Sequence, residues 1–210
     1  KGAPIIIGDT KRINAEKGST LTLWLDRSVQ KIIENRLKYG IEKYGAKEGT
    51  VVVMDPKTGG ILAMASFPSY DPAKFTQFDR DLYKNPTVAA SFEPGSTFKA
   101  LVMAASLNEK KLTPITTMDE NGPVTIGEYT IRTWNSQYHG QITMSQVLQY
   151  SSNTGMVYVG RQLGKDAFLT YIKAFGFGTP TNIDLQEEFS PEIRESSEWS
   201  EIDLATTSFG

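Results

Sequence analysis

The stretch FEPGSTFKALVMAA, Phe92 to Ala105, constrains this chain more than any other. Pro94 and Gly95 interrupt what precedes them, and the run after Ser96 is rich in Ala, Leu, Val and Met. A helix is therefore expected to begin near the serine. A helix apolar nearly all round belongs in an interior, so Lys99 near its start is expected to be buried. Desolvation disfavours an ammonium and lowers its pKa, the condition under which a lysine serves as a base near neutral pH. Residues three apart share a helix face, which places the Lys99 nitrogen within hydrogen-bond reach of the Ser96 hydroxyl. The helix N-terminus adds positive potential where an oxyanion forms. Taken alone, the same spacing also describes a capping serine beside a solvated lysine, so the context has to decide.

Composition allows a proper core: 39% of the 210 residues are hydrophobic and 22% charged. The net charge of −2 and the lack of a basic stripe argue against a nucleic-acid surface. With no cysteine and one histidine, His139, neither a disulfide nor a thiolate or histidine metal site is available, and no cofactor or metal is expected. No run of about 18 or more apolar residues occurs, so no transmembrane helix is expected in the chain as given. Lys1 lacks an initiator methionine and Gly210 follows an apolar segment, so both ends are expected to be cut from something longer.

Residues 1–20 lack helical periodicity and read as a connector or the edge of a preceding domain. Leu21–Leu25 alternates like a strand, and Asp26 or Ser28 is placed to cap a helix carrying Val29, Ile32, Ile33, Leu37, Ile41 and Tyr44. Thr50–Met54 and Ile61–Ala65 read as two central strands of a hairpin. An extended loop is expected from Pro68 to about Ala90, then turns through Pro123. Short strands are expected at Val124–Ile126 and Tyr129–Ile131, and helices at Ile142–Gln149 and Thr154–Leu163. The polar break Tyr150-Ser151-Ser152-Asn153 between those helices sets a hydroxyl and a carboxamide two residues apart. Ser152 or Asn153 can simply cap the next helix, and capping does not exclude catalysis.

These motifs together resemble the transpeptidase domain of penicillin-binding proteins, acyl-serine enzymes with a Ser-x-x-Lys, Ser-x-Asn and Lys-Thr-Gly pattern. The resemblance covers about nine tenths of the chain and rests on several motifs in order. They are Met54–Ser66, Pro68–Pro72, Glu93–Lys99, Ser151–Met156, and Phe175–Gly178 followed by Ile183–Leu185. The wording is that of the monofunctional class B enzymes, leaning toward the division type. Lys57-Thr58-Gly59 spells the third signature but precedes the nucleophile, between two apolar runs, and reads as turn chemistry. The third motif is then expected beyond Gly210.

The resemblance implies an α/β (α+β) fold like that of penicillin-binding proteins and serine β-lactamases, with helices around a mainly antiparallel sheet, incomplete in this chain. Residues 21–210 are expected to be roughly the N-terminal two thirds of that domain. It implies that Ser96 is the nucleophile and Lys99 its base, that Ser151 passes the proton, and that Asn153 hydrogen-bonds Lys99 and the substrate backbone. It implies a peptidoglycan D,D-transpeptidase whose substrate is a stem peptide ending in D-Ala-D-Ala, with β-lactam antibiotics acylating the same serine. Other cell-wall synthesis or division proteins are the implied partners. The implied location is the extracytoplasmic face of the bacterial membrane, anchored by an N-terminal helix absent here. The family oxyanion hole draws one N–H from the missing strand, so the chain alone is expected to be inactive or nearly so. A serine β-lactamase and a non-catalytic penicillin-sensing or scaffold domain are the alternatives. The class D lactamases also use Ser-Thr-Phe-Lys, but typically carry Val where this chain has Asn153.

Overall fold

A computed structural model describes residues 17–210, which fall into two compact units meeting in sequence at Phe78 and Asp79. The connector expected over residues 1–20 lies outside the described residues as far as residue 16.

The first unit sets one helix on one hairpin. Helix α1 (Arg27–Tyr44) starts where Asp26 accepts the Ser28 and Val29 N–H groups and stops at Gly45, whose φ of 62° suits a residue without Cβ. Strands β1 (Gly49–Met54) and β2 (Ile61–Phe67) pair antiparallel, Val52 opposite Met64, with a bulge at Val53/Met54. Ile33, Ile41 and Ala63 are buried. The strand expected at Leu21–Leu25 does not form, and the outer edge of β2 shows why. The Gln30 carboxamide pairs with both the N–H and the C=O of Met64, at 2.9 Å each, and the Asp26 N–H donates to Leu62 O. With those groups taken, the alternating segment has no ladder to join at these positions. Nor is β1 central: Val52 and Met54 are exposed, and β2 is its one partner among the described residues.

Lys57-Thr58-Gly59 is a turn, as expected. Asp55 accepts the Lys57 N–H and the Thr58 hydroxyl, both at 2.9 Å, and Gly59 has a φ of 74°. The segment read as an extended loop holds short helical turns at Pro72–Gln77 and Arg80–Tyr83, and a single turn, α2 (Pro86–Ala89). Asp71, Asp79 and Asn85 cap them, and the periodicity of so short a turn is invisible in sequence.

The second unit is built around two buried helices. Helix α3 (Lys99–Asn108) and helix α5 (Asn153–Leu163) pack together, with Val102 and Met103 in the same core as Met156 and Val159. Helices α4 (Met144–Gln149), α6 (Lys165–Ala174) and α7 (Glu201–Thr207) complete the layer. Gly160 permits the close approach of α5 and α7, since a Cβ there would lie 1.9 Å from Ser208 Oγ. Strands β3 (Thr117–Glu120) and β6 (Gly140–Thr143) form one antiparallel pair, and β4 (Val124–Ile126) and β5 (Tyr129–Ile131) another. Ile126 and Ile131 from the β4–β5 hairpin pack with Val157 and Ala205.

Two boundaries differ from expectation. Ile142 and Thr143 end β6 rather than beginning a helix, because Thr143 is the N-cap, locked with Gln146 in a capping box. Strand β3 stands where turns were expected, its pairing with β6 supplying what its polar sequence does not advertise.

Candidate active site

The nucleophile candidate sits on a tight turn rather than on the helix proper. Gly95, at φ 60°, opens a 3₁₀ turn over Gly95–Thr97, closed by the Phe98 N–H to Gly95 O at 2.9 Å. Thr97 donates its hydroxyl to Pro94 O at 2.7 Å. The Phe98 ring anchors the turn in the core, edge-on to Phe177 at 5.4 Å and beside Phe168 at 6.5 Å. Ser96 is left exposed and Lys99, the first residue of α3, is buried at 2% exposure. Neither half of the capping alternative holds: Ser96 makes no cap and Lys99 is not solvated. Along α3, Val102, Met103, Ala105 and Ser106 are buried as expected, Leu101 and Leu107 are half-buried, and Ala100, Ala104 and Asn108 face outward.

The Tyr150–Asn153 break supplies the lysine's partners. Helix α4 ends with the Tyr150 N–H on Gln146 O and the Ser151 N–H on Leu148 O, and Ser151 then turns the chain at φ 53°. Ser152 caps α5 through the Gly155 N–H at 2.8 Å. Capping therefore falls to Ser152, and its two neighbours are free for Lys99. Lys99 Nζ donates to Ser151 O at 2.7 Å, Ser151 Oγ at 3.0 Å and Asn153 Oδ1 at 2.7 Å. Asn153 Nδ2 donates to Arg132 O at 3.0 Å, tying the site to the residue that follows β5.

The direct lysine–serine bond expected from the i, i+3 spacing is replaced by a bridge. Ser151 Oγ donates to Ser96 Oγ at 3.0 Å, so the path runs Ser96–Ser151–Lys99. The 3₁₀ turn rotates Ser96 away from the α-helical phase of Lys99, so the spacing rule for one continuous helix fails there.

Burial pulls the Lys99 pKa from 10.5 to about 8. At pH 7 roughly one lysine in ten is then neutral, against about one in 3,000 for a lysine at 10.5. Hydroxyl protons rotate, so neutral Lys99 turns the bridge into a path that carries the Ser96 proton to Nζ through Ser151. Such an arrangement can deprotonate a serine for attack on a carbonyl.

Beneath the loop lies a second polar cluster that sequence reasoning missed. Glu120, at the end of β3, is buried at 1% exposure. It accepts the Ser152 hydroxyl, the Thr154 hydroxyl at 3.1 Å, the His139 N–H at 3.1 Å, and His139 Nδ1 at 2.9 Å. Burial pushes the Glu120 pKa up, but those hydrogen bonds outweigh it and hold the carboxyl below the usual range. The His139 ring stacks on Tyr150 at 4.2 Å. Nothing in the spacing of Glu120, 32 residues before Ser152, marks the pair. Asp203, lowered to about 2 by the Ser200 hydroxyl and N–H and by Arg194, belongs to the capping box of α7 and not to a site.

A helical core with antiparallel strand pairs carries an exposed serine bridged to a buried lysine, the two groups that serine–lysine acyl-transfer chemistry needs. Residues 49–210 match the family described as the penicillin binding protein transpeptidase domain. Stage V sporulation protein D of Bacillus subtilis is 37% identical over 195 residues, covering 92% of this chain and 30% of that protein. Peptidoglycan D,D-transpeptidase FtsI of Escherichia coli is 29% identical over 205 residues, covering 98% of this chain and 34% of that protein. Among solved structures, the transpeptidase domain of Burkholderia pseudomallei penicillin-binding protein 3 superposes with a TM-score of 0.78 at 25% identity, covering 93% of this chain and 54% of that one. The chain belongs to the penicillin-binding protein transpeptidase family, and its fold is of that α+β kind. It spans about a third of the length of these curated relatives.

Proposed function

We propose that the protein carrying this chain is a peptidoglycan D,D-transpeptidase, cross-linking stem peptides through an acyl-enzyme on Ser96. The observation that carries this reading is the hydrogen-bonded path from exposed Ser96 through Ser151 to Lys99, with Lys99 pulled to about 8. Ser96 Oγ attacks the carbonyl between the two terminal D-alanines, and its proton passes through Ser151 to neutral Lys99. The tetrahedral intermediate collapses as the carbon–nitrogen bond breaks. The departing D-alanine amine takes the proton back from Lys99 through Ser151, leaving the acyl ester. An amine of a neighbouring stem then attacks the ester, gives up a proton along the same path, and Ser96 regains its hydrogen. Asn153 holds Lys99 by Oδ1, and we assign its carboxamide a hydrogen bond to the substrate backbone. The Ser96 N–H, in a first turn whose amides lack helical acceptors, supplies one oxyanion donor.

Residues 21–210 then form the part of the domain that carries the first two signatures, with the third in a later segment. β-Lactams, which mimic D-Ala-D-Ala, acylate the same serine. The working place of such an enzyme is the extracytoplasmic side of the membrane, where its substrate lies, beside other wall-synthesis or division proteins. Among the described residues no helix is long and apolar enough to cross a membrane.

Fluorescent penicillin added to the full-length protein tests the reading. Slow release of label, and none in Ser96→Ala, is the expected result. Rapid turnover of the penicillin makes the protein a β-lactamase, and no labelling of the wild type makes it a scaffold.

A further inference from the structure

We infer that Glu120 is a positioning residue of the acyl-transfer site, holding the Ser151–Asn153 loop in its working conformation from below. The inference rests on the transpeptidase reading of Ser96 and Lys99. Alternate residues of the loop face opposite ways. Ser151 and Asn153 bind Lys99, while Ser152 and Thr154 give their hydroxyls to Glu120. The two anchored positions bracket Asn153, and Ser152 directly follows Ser151. A third anchor acts one residue earlier, because His139 bonds Glu120 through Nδ1 and stacks its ring on Tyr150. Positions 150, 152, 153 and 154 are thus fixed by contacts on the two sides, and strained Ser151, itself bound to Lys99, stands among them at φ 53°.

Serine, carboxylate and histidine also stand together in hydrolytic triads, but the order here does not activate a nucleophile. The carboxylate, not the imidazole, takes the Ser152 hydroxyl, and Ser152 is 1% exposed. A buried, ionised carboxylate is also a poor device for stability alone, since a well-packed apolar replacement often serves as well. What Glu120 supplies is direction. Two hydroxyls, one backbone N–H and one imidazole must point at it, and among the described residues the one ionisable side chain bonded to it is His139. Misplacement of a catalytic group by about 1 Å costs on the order of 10²-fold in rate, so a clamp of this kind has kinetic consequences.

The test compares wild type, Glu120→Gln and Leu169→Ala in the full-length protein; Leu169 is a buried residue of α6 with no part in the site. Glutamine keeps the shape but turns an amide donor toward groups that themselves donate. Expected for Glu120→Gln is an acylation rate about 10²-fold lower per folded molecule. The pH midpoint of acylation is expected to move upward from about 8 as water reaches Lys99, with faster amide hydrogen exchange at Ser151, Ser152 and Gly155. Leu169→Ala is expected to lower the melting temperature while leaving rate, midpoint and loop exchange as in wild type. Glu120→Gln behaving like Leu169→Ala overturns the inference. If Glu120→Gln does not fold, Glu120→Asp, which keeps the charge at shorter reach, is expected to lie between, and wild-type behaviour there overturns it. Wild type that takes no penicillin label refutes the transpeptidase reading by itself. The exchange measurement then judges Glu120 alone, and wild-type loop protection in the variant overturns the clamp.

Discussion

Ser151 and Ser152 are adjacent, and each bonds a buried ionisable group, yet the two clusters treat charge in opposite ways. Above the loop, Lys99 is desolvated and offered only neutral acceptors, and its pKa falls to about 8. Below it, Glu120 is equally buried but met by four hydrogen bonds, so it stays charged with its pKa lowered. Burial with partial compensation leaves a group poised to give up its charge, whereas burial with full compensation leaves one that keeps it through neutral pH. The first is the chemistry of a base and the second that of a clamp. The separation depends on the αL turn at Ser151, which points successive hydroxyls to opposite sides.

Removing the poised charge is expected to have the largest effect. In Lys99→Gln, acylation by fluorescent penicillin should fall about 10²- to 10⁴-fold, the usual share of a general base. Lys99→Arg should fall as far, because a guanidinium is not deprotonated in this pH range. A near-normal rate with arginine would mean that Lys99 acts as a fixed positive charge, and the contrast between the two clusters would collapse. For wild type the rate should rise with pH and level off above a midpoint of about 8, since the neutral lysine is the active form.

Breaking the bridge comes next. Ser151→Ala removes the hydroxyl between Ser96 and Lys99 and should slow acylation about 10²-fold, as for a displaced proton-transfer group. Ser151→Gly removes the same hydroxyl but suits the φ of 53° and should be the more stable of the two by about 1 kcal/mol in a denaturation series. Equal acylation in Ser151→Ala and wild type would show that Lys99 reaches Ser96 without the bridge.

Much of this arrangement was legible in sequence, and what was hidden has physical causes. The α3 run, the α1 periodicity and the β1–β2 hairpin announce themselves because their apolar spacing is local. Lys57-Thr58-Gly59 reads as a turn for the same reason: Asp55 closes it from two and three residues away. Ser96, Lys99, Ser151 and Asn153 were all named, and the structure brings them together. The bridge was not foreseen, because a 3₁₀ turn before α3 changes the phase between Ser96 and Lys99. Glu120 and His139 were missed because their bonds span 19 to 34 residues and join elements that only the fold makes neighbours. Strand-like Leu21–Leu25 misleads for a related reason, since Gln30 and Asp26 take the β2 edge groups it would need.

Per pH unit, the effects on stability are smaller than either rate effect, and they separate the clusters by window. Glu120 has a folded pKa below its ordinary 4.5, so its contribution is fully present above that value and is lost as pH falls through the folded pKa. Lys99 has a folded pKa of about 8 against 10.5, so the unfolded chain binds more protons between those values. Its penalty is complete below 8 and is relieved as pH rises toward 10.5, with a slope of at most about 1.4 kcal/mol per pH unit. Denaturation midpoints of the wild type should therefore rise with pH in both windows. Glu120→Gln should flatten the acid limb alone and Lys99→Gln the alkaline limb alone. If either substitution flattens both limbs, the loop does not insulate the two charges, and the base and the clamp titrate as one coupled network.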